Sequence, residues 1–182
     1  EFDLPVHLDG ARFANAMVAL DCTPAEMSWK AGVDAVSFGG TKNGCMGVEA
    51  VIFFDPKHAW EFELRRKRGA HLFSKNRYLA AQMLAYVTGD LWLDNARKAN
   101  ANSAYLAEGL RKAGADFLHK PEANMIFASL PRSSHQSAFD AGASYHLWDG
   151  PLEGPSEEMV GARFVCDWSI STAQIDQFLA LI

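Results

Sequence analysis

Cysteine is scarce. The 182 residues hold three, Cys22, Cys45 and Cys166, with no CxxC pair. That excludes a disulfide-built scaffold and a paired-thiolate zinc centre, and a reducing cytosol is the simplest setting. The six histidines never fall three or four residues apart, so no metal site is expected. No apolar run reaches the roughly 20 residues of a membrane helix. No segment reads as a signal peptide, and the expected compartment is cytoplasmic. Basic charge is outweighed: 17 Lys and Arg against 22 Asp and Glu leave a net charge of -5, which argues against a nucleic-acid partner. The block Arg65-Arg66-Lys67-Arg68 reads as a solvated face. Repeats and low-complexity segments are also missing.

What remains is an ordinary α/β pattern, long enough to bury a core without disulfides or metals. Leu4 to Leu8 reads as a buried strand ending at Asp9, and Ala11 to Leu20 as a helix. Thr23-Pro24-Ala25-Glu26 is a capping box that predicts a further helix. Val33 to Phe38 and Val48 to Phe54 read as strands with the continuous apolar character of a parallel sheet. A helix from Ser74 to about Val87 follows, then a break at Gly89-Asp90 and another helix ending at Gly114. Strands are expected at Asn124 to Leu130, Ser144 to Trp148 and Ala162 to Asp167, with a final helix opened by Ser171-Thr172-Ala173-Gln174. The boundary falls in the helical middle, giving residues 1–95 as part of a larger domain and 96–182 as a small α/β domain.

Three places carry residues fit for chemistry, and each has a plain reading beside the chemical one. Lys42 stands in Ser37-Phe38-Gly39-Gly40-Thr41-Lys42-Asn43-Gly44. It is either a solvated lysine in a turn, or an amine in a partly desolvated pocket that can attack a carbonyl. The spacing is not that of a phosphate-binding P-loop. Asp9 ends an apolar strand in Val6-His7-Leu8-Asp9-Gly10-Ala11-Arg12. It either caps the next helix, or faces a ligand where open α/β sheets bind them. Arg12 then offers a fork to an anion. Arg163 alternates with Phe164 and Cys166, so it points away from them. It is either an edge-strand arginine in water, or a bidentate clamp for a carboxylate.

Taken together these segments resemble a known family. His7-Leu8-Asp9-Gly10-Ala11-Arg12 closely resembles the HxDGAR segment of threonine aldolases, and the stretch around Lys42 resembles their lysine segment. Arg66-Lys67-Arg68-Gly69-Ala70-His71-Leu72-Phe73-Ser74-Lys75 is similar to a bacterial branch that includes phenylserine aldolases. The resemblance runs from Pro5 to Leu181. It implies the C-terminal part of a fold-type I pyridoxal-phosphate (PLP) enzyme. In that reading Lys42 is the Schiff-base lysine, Asp9 faces the pyridine nitrogen, Arg12 lies near the ring's phenolate oxygen and Arg163 binds the substrate carboxylate. The implied reaction is retro-aldol cleavage of L-threonine, allo-threonine or related β-hydroxy-α-amino acids to glycine and an aldehyde. The implied assembly is a homodimer or homotetramer. His7 is a candidate for the β-hydroxyl base, and Lys67 and His71 for the rim of the site. The alternatives are another fold-type I lyase that eliminates a β-substituent, and a non-catalytic scaffold with vestigial site residues.

Family members are about twice this long, and their N-terminal half carries the phosphate cup and the group that stacks on the ring. The opening residues Glu1 to Pro5 lack a start Met and read as the continuation of a longer chain. Three apolar strands cannot form the wide sheet the family uses. Exposed apolar side chains are therefore expected near Val51 and Phe53, and a well-formed small unit from about residue 101 onward.

Overall fold

The first sheet begins with β1 (His7–Gly10), which pairs in parallel with β2 (Ala35–Gly39) and sets Asp9 opposite Ser37. The structure is a computed structural model describing residues 4–72 and 74–182, so Glu1 to Asp3 and Phe73 of the quoted motifs lie outside the described residues. β3 (Glu49–Phe53) completes the order β1-β2-β3 but runs antiparallel to β2. The expectation of parallel strands therefore holds for β1 and β2 alone. The Gly40–Val48 connection is too short for a parallel crossover, which needs about a dozen residues or more. The strand expected from Leu4 begins only at His7, and Leu4 and Val6 ahead of it are exposed.

α1 (Phe13–Leu20) lays Phe13 and Met17 on Val36 and Phe38, the centre of the first core, and ends at Asp21 in the left-handed region (φ 50°). The Thr23 capping box forms. The Thr23 amide donates to Glu26 Oε2 at 2.8 Å and the Glu26 amide donates to Thr23 Oγ1 at 3.3 Å. No α-helix follows it, only turns and one 3-10 turn at Trp29–Ala31. Gly32 (φ 87°) reverses the chain there, and Val33 must already lead into β2, so the segment has no room for a second helical turn. α2 (Ala59–Arg68) and α3 (Arg77–Val87) come next. The predicted cap Ser74 lies two residues too early, since Asn76 occupies the cap position of α3. Gly89 (φ 62°) and Asp90 (φ 61°) make the predicted break before α4 (Leu91–Lys112). Val51, Ile52 and Phe54 are exposed, whereas Phe53 is half-buried with its ring 5.1 Å from that of Phe62.

The chain forms two compact units, divided between Asn95 and Ala96 within α4. The second unit has an antiparallel sheet of order β4-β5-β7-β6, made of β4 (Asp116–Phe117), β5 (Met125–Pro131), β6 (His146–Leu147) and β7 (Met159–Val165). Side chains of β5 alternate in burial, and Ile126, Ala128 and Leu130 point to the core. Leu106 and Leu110 of α4 and Ile175 of α6 (Thr172–Leu179) cover that face. Each large apolar side chain so buried contributes about 1.5–3 kcal/mol. α6 starts with the predicted capping box, both of its hydrogen bonds present. α5 (Arg132–Asp140) was not evident in the sequence. No helix among the described residues is long and apolar enough to cross a membrane.

Candidate functional site

The carboxyl ends of β1 and β2 interlock through two glycines. A Cβ on Gly10 would sit 2.6 Å from the Ser37 carbonyl oxygen, and one on Gly39 would sit 2.5 Å from that of Ala11. Two parallel strand ends thus meet backbone to backbone, and each carries one candidate residue onward.

Asp9 is exposed on β1, and its Oδ1 accepts the Ala11 amide at 3.1 Å. That bond shapes the turn after the strand. It is not a helix cap, because Arg12 holds the cap position of α1. The other oxygen-bearing edge of the carboxylate remains available to a ligand. Arg12 is half-buried at the start of α1. His7 lies on the same strand face as Asp9, with its Nε2 2.9 Å from Ser37 Oγ.

Lys42 lies in a 3-10 turn, Thr41–Asn43, that starts directly after β2. Its side chain is exposed, so the partly desolvated pocket expected for it is not present among the described residues. The turn itself is tightly held. Thr41 Oγ1 donates to the Val48 carbonyl at 3.2 Å and accepts the Val48 amide at 3.1 Å, closing the loop at its base. Gln82 Oε1 on α3 accepts the amides of Met46 and Gly47 at 3.0 and 3.2 Å. Next to Lys42, Asn43 is buried and donates through Nδ2 to Tyr86 Oη at 2.6 Å and to the Trp92 carbonyl at 2.8 Å. The Asn43 carbonyl accepts from Asn95 Nδ2 at 2.9 Å. Burial pushes the Tyr86 hydroxyl up to about 12, against the opposing effect of the Asn43 bond. None of Asn43, Tyr86 or Asn95 was singled out from the sequence. An asparagine wedged between Lys42 and Gly44 is a visible signal, but its partners are 43 and 52 positions away.

In the second unit Arg163 lies on β7, an interior strand, opposite Phe127 of β5 and His146 of β6. The edge-strand reading is therefore wrong. Arg163 is half-buried, and its buried Nε makes no hydrogen bond among the described residues. It borders a cavity of about 440 Å³ with Tyr145, His146, Cys166, Ile170 and Phe178. Burial raises the Cys166 thiol to about 11, so it stays protonated there. Lys67 and His71 are exposed near the end of α2. No three His, Cys, Asp or Glu side chains among the described residues cluster in a way that could hold a metal ion.

The chain is 39% identical over 176 residues to the low specificity L-threonine aldolase of Pseudomonas aeruginosa, covering 96% of this chain and 49% of that one. It is 35% identical over 181 residues to a low specificity L-threonine aldolase from another Pseudomonas strain, covering 99% and 50%. It thus spans about half the length of these curated relatives. A solved structure of Leishmania major threonine aldolase superposes with a TM-score of 0.81 at 22% identity, over 98% of this chain and 51% of that one. The fold is accordingly the α/β fold-type I architecture. The sequence model of the beta-eliminating lyases matches residues 1–132, well over half of the chain, and the chain belongs to that family.

Proposed function

We propose that the protein carrying this chain cleaves β-hydroxy-α-amino acids, L-threonine and allo-threonine among them, to glycine and an aldehyde, with PLP as cofactor. One observation carries the reading. An exposed primary amine, Lys42, and an exposed carboxylate, Asp9, stand at the interlocked ends of adjacent parallel strands. They do so in a chain similar along nearly its whole length to L-threonine aldolases.

The residues present fit that cofactor by the chemistry of their donors. Bound PLP supplies an aldehyde for an amine and a ring that accepts electrons from a breaking Cα bond. Lys42 Nζ is the amine for the aldehyde, on a turn whose backbone is fixed on both sides. Asp9 offers a carboxylate that keeps a proton on the ring nitrogen, where an uncompensated negative charge favours the protonated form. Arg12 is assigned to the ring's phenolate oxygen, and its permanent charge suits an anion. Arg163 is assigned to the substrate carboxylate. Fixing that group orients the Cα substituents, and the orientation decides which bond breaks. The β-hydroxyl base is not assigned among these residues.

The family to which the chain belongs favours a second reading, β-elimination. Products separate the two: threonine yields glycine and acetaldehyde in the first, and a keto acid with ammonia in the second. For Lys42, the full-length Lys42→Ala variant is expected to lose the visible absorbance of lysine-linked PLP. It should also lose the borohydride-fixed pyridoxyl adduct on its Lys42 peptide. A retained band with an unchanged adduct on another lysine would overturn the assignment. The same reading makes the enzyme a cytoplasmic homodimer or homotetramer. The exposed Trp60 and Leu64, one turn apart on α2, support a surface covered by another copy. Active full-length enzyme that sediments as a monomer is the contrary result.

A further inference from the structure

Asn43 is 3% exposed, Tyr86 2% and Asn95 6%, and together they form a buried polar network directly behind the Lys42 turn. Its direction is fixed by chemistry. The Trp92 carbonyl, 2.8 Å from the Asn43 amide, can only accept, so Nδ2 faces it and also donates to Tyr86 Oη. Asn95 then donates to the Asn43 main-chain carbonyl. Asn43 is thereby held by side chain and backbone from two helices, α3 through Tyr86 and α4 through Trp92 and Asn95. The Tyr86 ring lies 5.9 Å from that of Phe38 and 6.5 Å from that of Trp92, so its hydroxyl is aimed by a packed aromatic cluster.

This arrangement is costly to maintain without a purpose at its far end. Burying amides demands full hydrogen bonding, and an unmet partner costs about 1–3 kcal/mol. A surface lysine turn needs no such anchor to fold, and the Thr41–Val48 pair already closes this loop. The network ends on the residue that follows Lys42, and through one peptide bond it fixes the direction in which the Lys42 side chain leaves the backbone.

We propose that Asn43 is a positioning residue that aims Lys42 at the cofactor aldehyde, with Tyr86 and Asn95 as its supports. The proposal rests on the reading of Lys42 as the attachment lysine. The step affected is the condensation of Lys42 Nζ with the aldehyde, which forms the carbon–nitrogen double bond and releases one water. A long flexible amine on a loosened turn samples many directions, and misplacement by about 1 Å lowers such rates by up to about 100-fold.

The test uses the full-length enzyme stripped of cofactor, with PLP itself as probe. The rate at which the lysine-linked absorbance appears is followed in wild type, Asn43→Ala, Tyr86→Phe and Ser28→Ala. Ser28 is as buried as Asn43 and belongs to the same unit, but among the described residues its hydroxyl bonds only to the Pro24 carbonyl, so its variant reports loss of stability alone. Asn43→Ala is expected to slow the appearance at least tenfold. Tyr86→Phe keeps the ring and removes one acceptor, so it should slow it about threefold even if Asn43→Ala does not fold. Ser28→Ala should keep the wild-type rate at a lower melting temperature. Equal rates in Tyr86→Phe and wild type, or equal slowing in Ser28→Ala, would overturn the positioning role. If the same band also forms in Lys42→Ala, the failure lies with the attachment lysine rather than with Asn43.

Discussion

Gly39 is locked against Ala11: a methyl group on Gly39 would meet the Ala11 carbonyl oxygen at 2.5 Å and its Cα at 2.8 Å. These are backbone atoms and cannot swing aside. Gly39→Ala must therefore push the end of β2 away from the turn that follows Asp9. Overpacking of this kind costs about 1–3 kcal/mol. Urea unfolding of the full-length protein is expected to show that loss, together with weaker PLP binding. Gly47→Ala is the control, since nothing lies within 4 Å of its added Cβ, and surface changes usually stay within about 0.5 kcal/mol. Equal stabilities of the two variants would mean that the strand ends are not interlocked.

Local chemistry was legible in the sequence where a short segment decides its own structure. Ser171 and Gln174 form the capping box their spacing announces, and Gly89-Asp90 break the helices where expected. The strand direction of β3 was also within reach, because the length of the Gly40–Val48 connection limits it, but apolar character alone pointed to a parallel strand. α5 was hidden for a different reason. Its buried stripe is Arg132, His135 and Ala138, so no apolar period marks it. Thr23 shows the reverse error: the cap forms, yet the chain must turn at Gly32 before a helix can grow. Among the candidate residues, Asp9, Arg12 and Lys42 in the first unit and Arg163 in the second could be named from motifs. The buried partners of Asn43 could not, because Tyr86 and Asn95 reach it only through tertiary packing.

Arg163 gives a kinetic prediction. Arg163 is half-buried on β7, where it pairs across the sheet with Phe127 and His146, and its Nε makes no hydrogen bond to the described residues. A planar fork placed there suits a carboxylate, which it can bind through two parallel bonds. Hydrogen bonds to charged groups are worth about 1.5–3 kcal/mol, so Arg163→Ala should raise KM for the amino acid by about 10- to 100-fold. Arg163→Lys keeps the charge and loses the fork, and should recover only part of that loss. Steady-state kinetics of the full-length variants decide it. An unchanged KM in Arg163→Ala would remove Arg163 from substrate binding.

His135 sets a pH dependence in the second unit. The ring is fully buried, with Nε2 2.9 Å from the Val160 carbonyl and Nδ1 2.8 Å from Tyr145 Oη. The carbonyl can only accept, so Nε2 carries the proton and Nδ1 of the neutral ring accepts from the tyrosine hydroxyl. Burial lowers the His135 pKa below 6.5, and the nearby Arg132 lowers it further, while the Val160 carbonyl and Asp149 act in the opposite direction. Below pH 6.5 the unfolded chain therefore takes up a proton that the folded one refuses. Stability is full above that pH and is lost as the pH falls, by at most about 1.4 kcal/mol per unit for a single proton. Protonation would also turn the accepting Nδ1 into a donor facing the Tyr145 hydroxyl, whose own ionisation burial has pushed up out of reach. His135→Gln keeps an amide donor and a carbonyl acceptor but cannot titrate. Its urea midpoint should be lower than wild type at pH 7.5, and it should fall less between pH 6.5 and 5. Parallel pH profiles for the two proteins over that range would show that His135 is not the group responsible.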